Sequence, residues 1–396
     1  MNAGRSEKQK MEKFKSFCKK QIVFVVALFA SLLSLILSPP TGERFMSLDW
    51  RTLFTLFMLL LVLEGFKKEK MFYPFFCLTD RFKTLKGLTY FLVGVVFFLA
   101  PFITNDVSLV TFVPLTIIIF KGIKKEKYLL QTVILENIAA ISGAFLTPFG
   151  NPQNLFIYTN TKVSPSSFIL HMLPMWSMGL LGLFVAVNFI YRKNPKEPIY
   201  TNERIEHDAP DPQNRGLRVF YLALLVLLLV EIITRVFNFV DIVIIVLAAL
   251  LIFDRKVFKK VDYYLLSTFF LFFLFSSSIA DIPFVKDFLS THVSGNEYWW
   301  GLGISQIISN VPGTALLLDF SNNYTALLYG VNAAGMGTIV GSLASLITFS
   351  IYNKEYPEEK KNFFKYFHFF SLCFLVLYIL TALPIQNWTL QEKVRG

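Results

Sequence analysis

Apolar runs of about twenty residues recur along the chain, at 21–38, 168–191, 217–236 and 363–383, with short Lys- and Arg-rich segments between them. That is the length an α-helix rising 1.5 Å per residue needs to cross ~30 Å of hydrocarbon. Shorter apolar runs near 52–65, 239–253 and 263–280 read as further spans. Two stretches do not fit this pattern. Residues 87–120 carry no basic side chain over 34 positions, yet basic loops flank them on both sides. Two complete crossings need roughly 40 residues plus a turn, and one crossing would put the two basic loops on opposite faces. The pattern therefore predicts a re-entrant hairpin that turns at Thr104-Asn105-Asp106. Residues 298–320 read as a second hairpin, turning at "SNVPG", 309–313.

Each hairpin is followed by an apolar segment with a polar interruption: "TPFGNPQN" at 147–154 within 128–160, and "TIVGSLAS" at 338–345 within 324–351. The interruptions share a Thr-x-x-Gly core and occupy corresponding places behind the two tips. Irregular polar backbone at membrane depth is tolerated only where protein or a watery cavity surrounds it. Asp106, Asn310, Asn151 and Ser342 each precede an apolar run, and Asp, Asn and Ser are favoured N-caps; Pro152 follows at a first helical position. Four helices are thus expected to begin inside the membrane, with N-termini that attract anions and unwound carbonyls that can meet a cation. The organisation read from this is all-α and polytopic, built from two inverted repeats that each contain a re-entrant hairpin and a broken helix. It comprises a basic cytoplasmic N-terminus (1–20), a first repeat (21–191), a cytoplasmic linker with one connecting span that inverts the second half (192–238), a second repeat (239–384) and a C-terminal tail (385–396).

Charge supports a membrane assignment rather than nucleic-acid binding. The net charge is +11, but the cations crowd into short loops on one side of the expected topology, as the positive-inside rule requires. This places the N-terminus in the cytoplasm, in an inner or cell membrane of prokaryotic type. The basic start and first apolar run resemble a signal peptide, but "SPPTGERF" lacks a small-x-small cleavage pattern, so a retained first span is expected. Cys18, Cys77 and Cys373 form no CxxC pair and the four histidines are scattered, so no disulfide framework or metal cluster is indicated. No GxxxxGK[ST] loop is present, which argues against an ATP-driven pump, and neither HExxH nor GxSxG points to an intramembrane enzyme.

The motifs "TNDVSLVTFVPLTI" and "SGAFLTPFGNPQNLF", with "SNVPGTALLL" and "GTIVGSLASLITFSIY" in the second half, resemble the signatures of the ion transporter superfamily, most nearly its arsenite/antimonite permeases. The superfamily also holds citrate and dicarboxylate carriers and some sodium/proton antiporters. The resemblance implies a homodimer that moves substrate by an elevator-type alternating access, with no cofactor beyond a coupling Na+ or H+. Dicarboxylate members carry Ser-Asn-Thr at both tips. Thr104-Asn105 and Ser309-Asn310 match the first two places, while Asp106 and Val311 depart from the third.

The expected substrate and ion lining is Thr104, Asn105, Asp106, Ser108, Thr147, Gly150, Asn151, Asn154, Ser309, Asn310, Thr314, Thr338, Gly341, Ser342 and Ser345. Asp106 is the leading candidate for proton coupling, because an ionisable side chain in the membrane is costly and usually functional; its bland alternative is a helix cap. Glu136, nine residues past Lys127, is either a second protonation site or a partner for broken backbone. Asn137 reads as an interhelical hydrogen-bond residue. The expected partners are a small anionic substrate, a coupling ion, membrane lipids and a second copy of the chain. Efflux of an oxyanion or metalloid is the leading specific expectation; the alternative is a sodium/proton antiporter.

Overall fold

The computed structural model describes residues 21–39, 42–161, 163–199 and 214–385. The basic stretch 1–20, most of the polar linker and the tail from 386 lie outside the described residues. Within them the fold is all-helical, and the extended backbone is limited to an isolated bridge between Thr84 and Pro198. Eighteen α-helices follow one another: α1 Ile22–Leu37, α2 Gly42–Ser47, α3 Trp50–Lys68, α4 Tyr73–Leu78, α5 Leu85–Ile103, α6 Asn105–Gly122, α7 Leu129–Ala144, α8 Pro152–Asn160 and α9 Pro165–Ile190, then α10 Arg215–Thr234, α11 Phe239–Asp254, α12 Tyr263–Ala280, α13 Pro283–His292, α14 Glu297–Ile308, α15 Asn310–Leu317, α16 Tyr324–Ala333, α17 Leu343–Glu355 and α18 Lys360–Ala382.

Every expected span has a helix, and one residue of each tip, Thr104 and Ser309, and the Thr-x-x-Gly core of each interruption fall between α-helices. Among the described residues, six helical segments are long and apolar enough to cross a membrane, including α5, α6, α9, α10 and α12. Polarity is distributed as a bilayer demands. Large apolar side chains face outward, with Ile36 and Ile252 each 76% exposed, while Asn105, Asp106, Glu136, Asn137, Asn151, Asn154 and Asn332 are buried. In lipid a polar group on the outer surface is costly, so these residues are kept inside the bundle.

Local chemistry sets the helix starts. Asp49 accepts from the Thr52 amide to open α3, Ser164 accepts from Ser167 ahead of Pro165 at α9, and Asp262 accepts from two amides at α12. These are ordinary N-caps, each stabilising by about 1 kcal/mol. At the loop end of α17, Lys121 hydrogen-bonds Glu355 at 2.9 Å and holds that carboxyl below its ordinary range.

The length argument for the first hairpin needs correction. Its turn consumes one residue, Thr104, so α5 and α6 keep 19 and 18 residues, about 28 and 27 Å of helix. Each is long enough to cross. In the second hairpin α14 and α15 have only 12 and 8 residues, about 18 and 12 Å, and neither is. The chain at 298–320 is therefore not one continuous helix. Helix α13 was not expected from the pattern; it leaves Phe284 and Phe288 exposed.

Candidate functional site

Both tips are built in the same way. Thr104 joins α5 to α6 with φ 69° and ψ 154°, and Ser309 joins α14 to α15 with φ 76° and ψ 157°. Positive φ is uncommon for any residue with a Cβ and an outlier for β-branched threonine. Such strain, on the order of 1–3 kcal/mol, persists where the surroundings impose it and clusters at functional sites. The hinge residues, rather than their neighbours, are the N-caps. Asp106 and Asn310, expected as caps, are the second and first residues of α6 and α15, displaced because the turn closes at a single strained position. Asn151 is a cap as expected, accepting from the Asn154 amide at 2.8 Å, while Ser342 occupies a cap position without a side-chain bond.

Each break is tied to its own tip by the same contact. The Thr147 hydroxyl donates to the carbonyl of Pro101 at 2.6 Å, and the Thr338 hydroxyl donates to the carbonyl of Gln306 at 3.1 Å. Pro101 and Gln306 both lie three residues before their hinge. The glycine of each Thr-x-x-Gly allows the chain to fold back on itself: a Cβ at Gly150 would lie 2.2 Å from the Ala144 carbonyl oxygen, and one at Gly341 would lie 2.4 Å from that of Ala334. The first tip also meets its break directly, the Asn105 amide donating to the Gly150 carbonyl at 3.0 Å.

The two breaks satisfy their loose backbone differently. In the first, the Asn154 side chain donates to the carbonyls of Ala144, Phe145 and Thr147. In the second, Gln306 reaches across from α14, donating to the carbonyls of Ala334 and Met336 and accepting from the Thr338 amide at 2.7 Å. This bracing lets Thr338-Ile339-Val340-Gly341 break the helix without a proline.

Two asparagines join the halves. Asn332, at the end of α16, donates to Asn154 at 2.7 Å and accepts from Asn151 at 3.1 Å and Gln153 at 3.4 Å. Asn137 on α7 donates to Ser345 at 3.1 Å and accepts from Thr348 of α17 at 3.0 Å. The first break is thus bound to the helix before the second break, and the helix before the first break to the helix after the second. At Gly335, within the second break, an added Cβ would lie 2.8 Å from the Ile141 side chain of α7 and 3.9 Å from Nδ2 of Asn310.

The expected residues divide accordingly. Asn105, Asp106, Thr147, Gly150, Asn151 and Asn154 gather at the first tip and break. Ser309, Asn310, Gly341, Ser342 and Ser345 gather at the second, and Thr338 lies there too but is exposed. Ser108 and Thr314 turn their hydroxyls onto the carbonyls of Thr104 and Asn310 within their own helices. Among these expected residues and Glu136, three buried polar atoms have no hydrogen-bond partner: Oδ1 of Asp106, Oγ of Ser309 and Oε2 of Glu136. Glu136 is not at the tip. Its other oxygen accepts from Thr116 at 2.5 Å, ten residues beyond Asp106 and so about 15 Å along α6. A cavity of about 20 Å³ beside Thr104, Asp106 and Pro152 is otherwise lined by Leu56, Leu59, Leu60, Leu63, Leu265 and Phe269, room for about one water. No group of three metal-ligating side chains occurs among the described residues. Gln306 and Asn332 were missed in the sequence; their only signal is a lone amide in an otherwise apolar run.

Comparison with known proteins places this architecture. The citrate transporter family matches residues 17–323, a stretch that ends before the second break. The chain is 32% identical over 312 residues to the "uncharacterized transporter MJ0456" of Methanocaldococcus jannaschii, covering 78% of this chain and 83% of the relative. It is 30% identical over 340 residues to the "inner membrane protein YbiR" of Escherichia coli, covering 83% and 86%. Transport, rather than enzymatic chemistry, is the common thread in the family's description and the archaeal relative's name. On this match and the helical membrane fold that carries it, the chain is an integral membrane protein of the citrate transporter family.

Proposed function

We propose that the chain is a proton-coupled secondary transporter of a small anion, which is held where the two tips meet the two breaks. The observation that carries this reading is the recurrence, in both halves, of one strained hinge and one threonine-to-carbonyl tie, with Asp106 Oδ1 and Ser309 Oγ buried and unpartnered beside the hinges. Helices α6, α8, α15 and α17 all begin there, and helix N-termini favour anions. Entering from opposite faces as inverted repeats, α5 and α14 would together span about 45 Å, the thickness of a bilayer with its headgroups. That geometry supports two re-entrant tips meeting inside the membrane, and the N-terminus on the cytoplasmic side follows from the loop charges. Alternating access of the elevator type, by a homodimer, is the mechanism proposed.

The substrate class is drawn from the family description, so citrate and similar carboxylates come first; arsenite-like oxyanions follow from the motif resemblance. The surroundings of Asp106 favour a proton over sodium. A hard metal cation collects several oxygen ligands, and the wall facing Asp106 is leucine and phenylalanine. A proton neutralises the carboxylate without further ligands. The orphan carboxylate oxygen is also what favours the second reading, a sodium/proton antiporter.

The test is uptake of a panel of anions, citrate, succinate and arsenite included, into proteoliposomes under an imposed pH or sodium gradient. The wild type is expected to accumulate at least one anion with the pH gradient, and Asp106→Asn to lose that stimulation by about tenfold or more while retaining counterflow. Sodium/proton exchange without flux of any anion would replace this reading by the antiporter. Unchanged pH stimulation in Asp106→Asn would remove the role given to Asp106.

A further inference from the structure

A second, larger cavity, of about 450 Å³, opens at the basic end of the bundle between the start of α7, the end of α9 and the third turn of α18. Its walls carry Lys127, Arg192 and Lys193 together with Tyr128, Gln131 and Phe369. None of these three cations pairs with a carboxylate among the described residues, whereas neighbouring Lys125 and Lys121 are bound to Glu197 and Glu355 at 2.6 and 2.9 Å. Two are positioned by rings instead: the Arg192 guanidinium lies 4.5 Å from the Phe189 ring centre and the Lys127 ammonium 5.7 Å from that of Tyr128. Phe189 and Phe369, which line the cavity, and Leu372 one turn further along α18 are about half exposed.

Three cations that meet no carboxylate among the described residues, set around a cavity of ligand size, call for an anion, and the exposed apolar rim calls for hydrocarbon. The position, at helix ends on the side that loop charges make cytoplasmic, is where headgroups lie, and basic pockets between membrane helices there bind anionic lipids. We propose that this cavity is a binding site for the phosphodiester headgroup of an anionic phospholipid, with the acyl chains laid along Phe189, Phe369 and Leu372. The site is separate from the tips and breaks and does not rest on the transport reading.

The experiment is native mass spectrometry of the detergent-purified protein titrated with phosphatidylglycerol, with phosphatidylcholine of the same chains, and with free glycerol 3-phosphate. The wild type is expected to retain phosphatidylglycerol over phosphatidylcholine. Lys127→Gln/Arg192→Gln/Lys193→Gln should lose that preference by about tenfold or more. Lys127→Arg/Arg192→Lys/Lys193→Arg, which keeps the charges, should retain it, and both variants should elute as the wild type does on size exclusion. Equal phosphatidylglycerol retention in the neutralised variant would overturn the proposal. So would glycerol 3-phosphate displacing phosphatidylglycerol from the wild type at comparable concentration, since the site would then belong to a soluble phosphate ester.

Discussion

Gly150→Ala is expected to cut transport by about a hundredfold, the effect of displacing reacting groups by roughly 1 Å, while the protein still inserts and elutes as the wild type does. The added methyl would sit 2.2 Å from the Ala144 carbonyl oxygen, and that oxygen is backbone, with no side chain to swing away. The turn must open. Opening it moves the Gly150 carbonyl off the Asn105 amide and the Asn154 amide off its three carbonyls. Gly341→Ala meets Ala334 at 2.4 Å and should behave alike, whereas Gly94→Ala, with open space around it, should be silent. Initial rates of anion uptake in proteoliposomes, normalised to inserted protein, make the comparison. A Gly150→Ala transporter working at half the wild-type rate would remove the claim that the break geometry matters.

Asn332→Leu is expected to be the most destabilising of the buried polar substitutions. Asn332 is fully buried, donates to Asn154 and the Leu328 carbonyl, and accepts from Asn151 and Gln153. Its removal strands partners in a dry interior, at about 1–3 kcal/mol for each unsatisfied group. Thermal unfolding in detergent should show a midpoint several degrees lower. Asn310→Leu is the contrast, because the Asn310 side chain makes no hydrogen bond among the described residues: it should cost little stability and much transport. Equal midpoints for Asn332→Leu and wild type would mean that the halves are not joined through this residue.

The parts of this architecture that were readable in the sequence are those where backbone demands a particular residue. Gly150 and Gly341 are forced by close approach, and Pro152 by a helix start, so the breaks could be found and paired. The hinges were located to within one or two residues. Their exact placement was hidden because Thr104 and Ser309 adopt a left-handed conformation that residue type does not foretell. The one-residue turn at Thr104 also undid the length estimate for the first hairpin, since a loop was allowed for where none exists. Gln306 and Asn332 could not be distinguished from any lone amide on a membrane helix. What distinguishes them is the partner each finds some 30 or 180 residues away in the chain, and no local pattern carries that information. Glu136 was read from its depth as a second protonation site or a partner for broken backbone, and in the structure one of its oxygens accepts from the Thr116 hydroxyl, about 15 Å along α6 from Asp106.

The central claim, that both hinges face one solute, is tested most directly by substrate protection of cysteines placed at Thr104 and Ser309, one at a time, in a chain whose Cys18, Cys77 and Cys373 are replaced by serine. Labelling by a small thiol reagent would be followed by mass shift in proteoliposomes, with citrate titrated first and then whichever panel anion the wild type accumulates. The account predicts that one anion protects both positions with the same half-maximal concentration. Protection of one hinge with the other labelled at an undiminished rate, in variants that still transport, would contradict it.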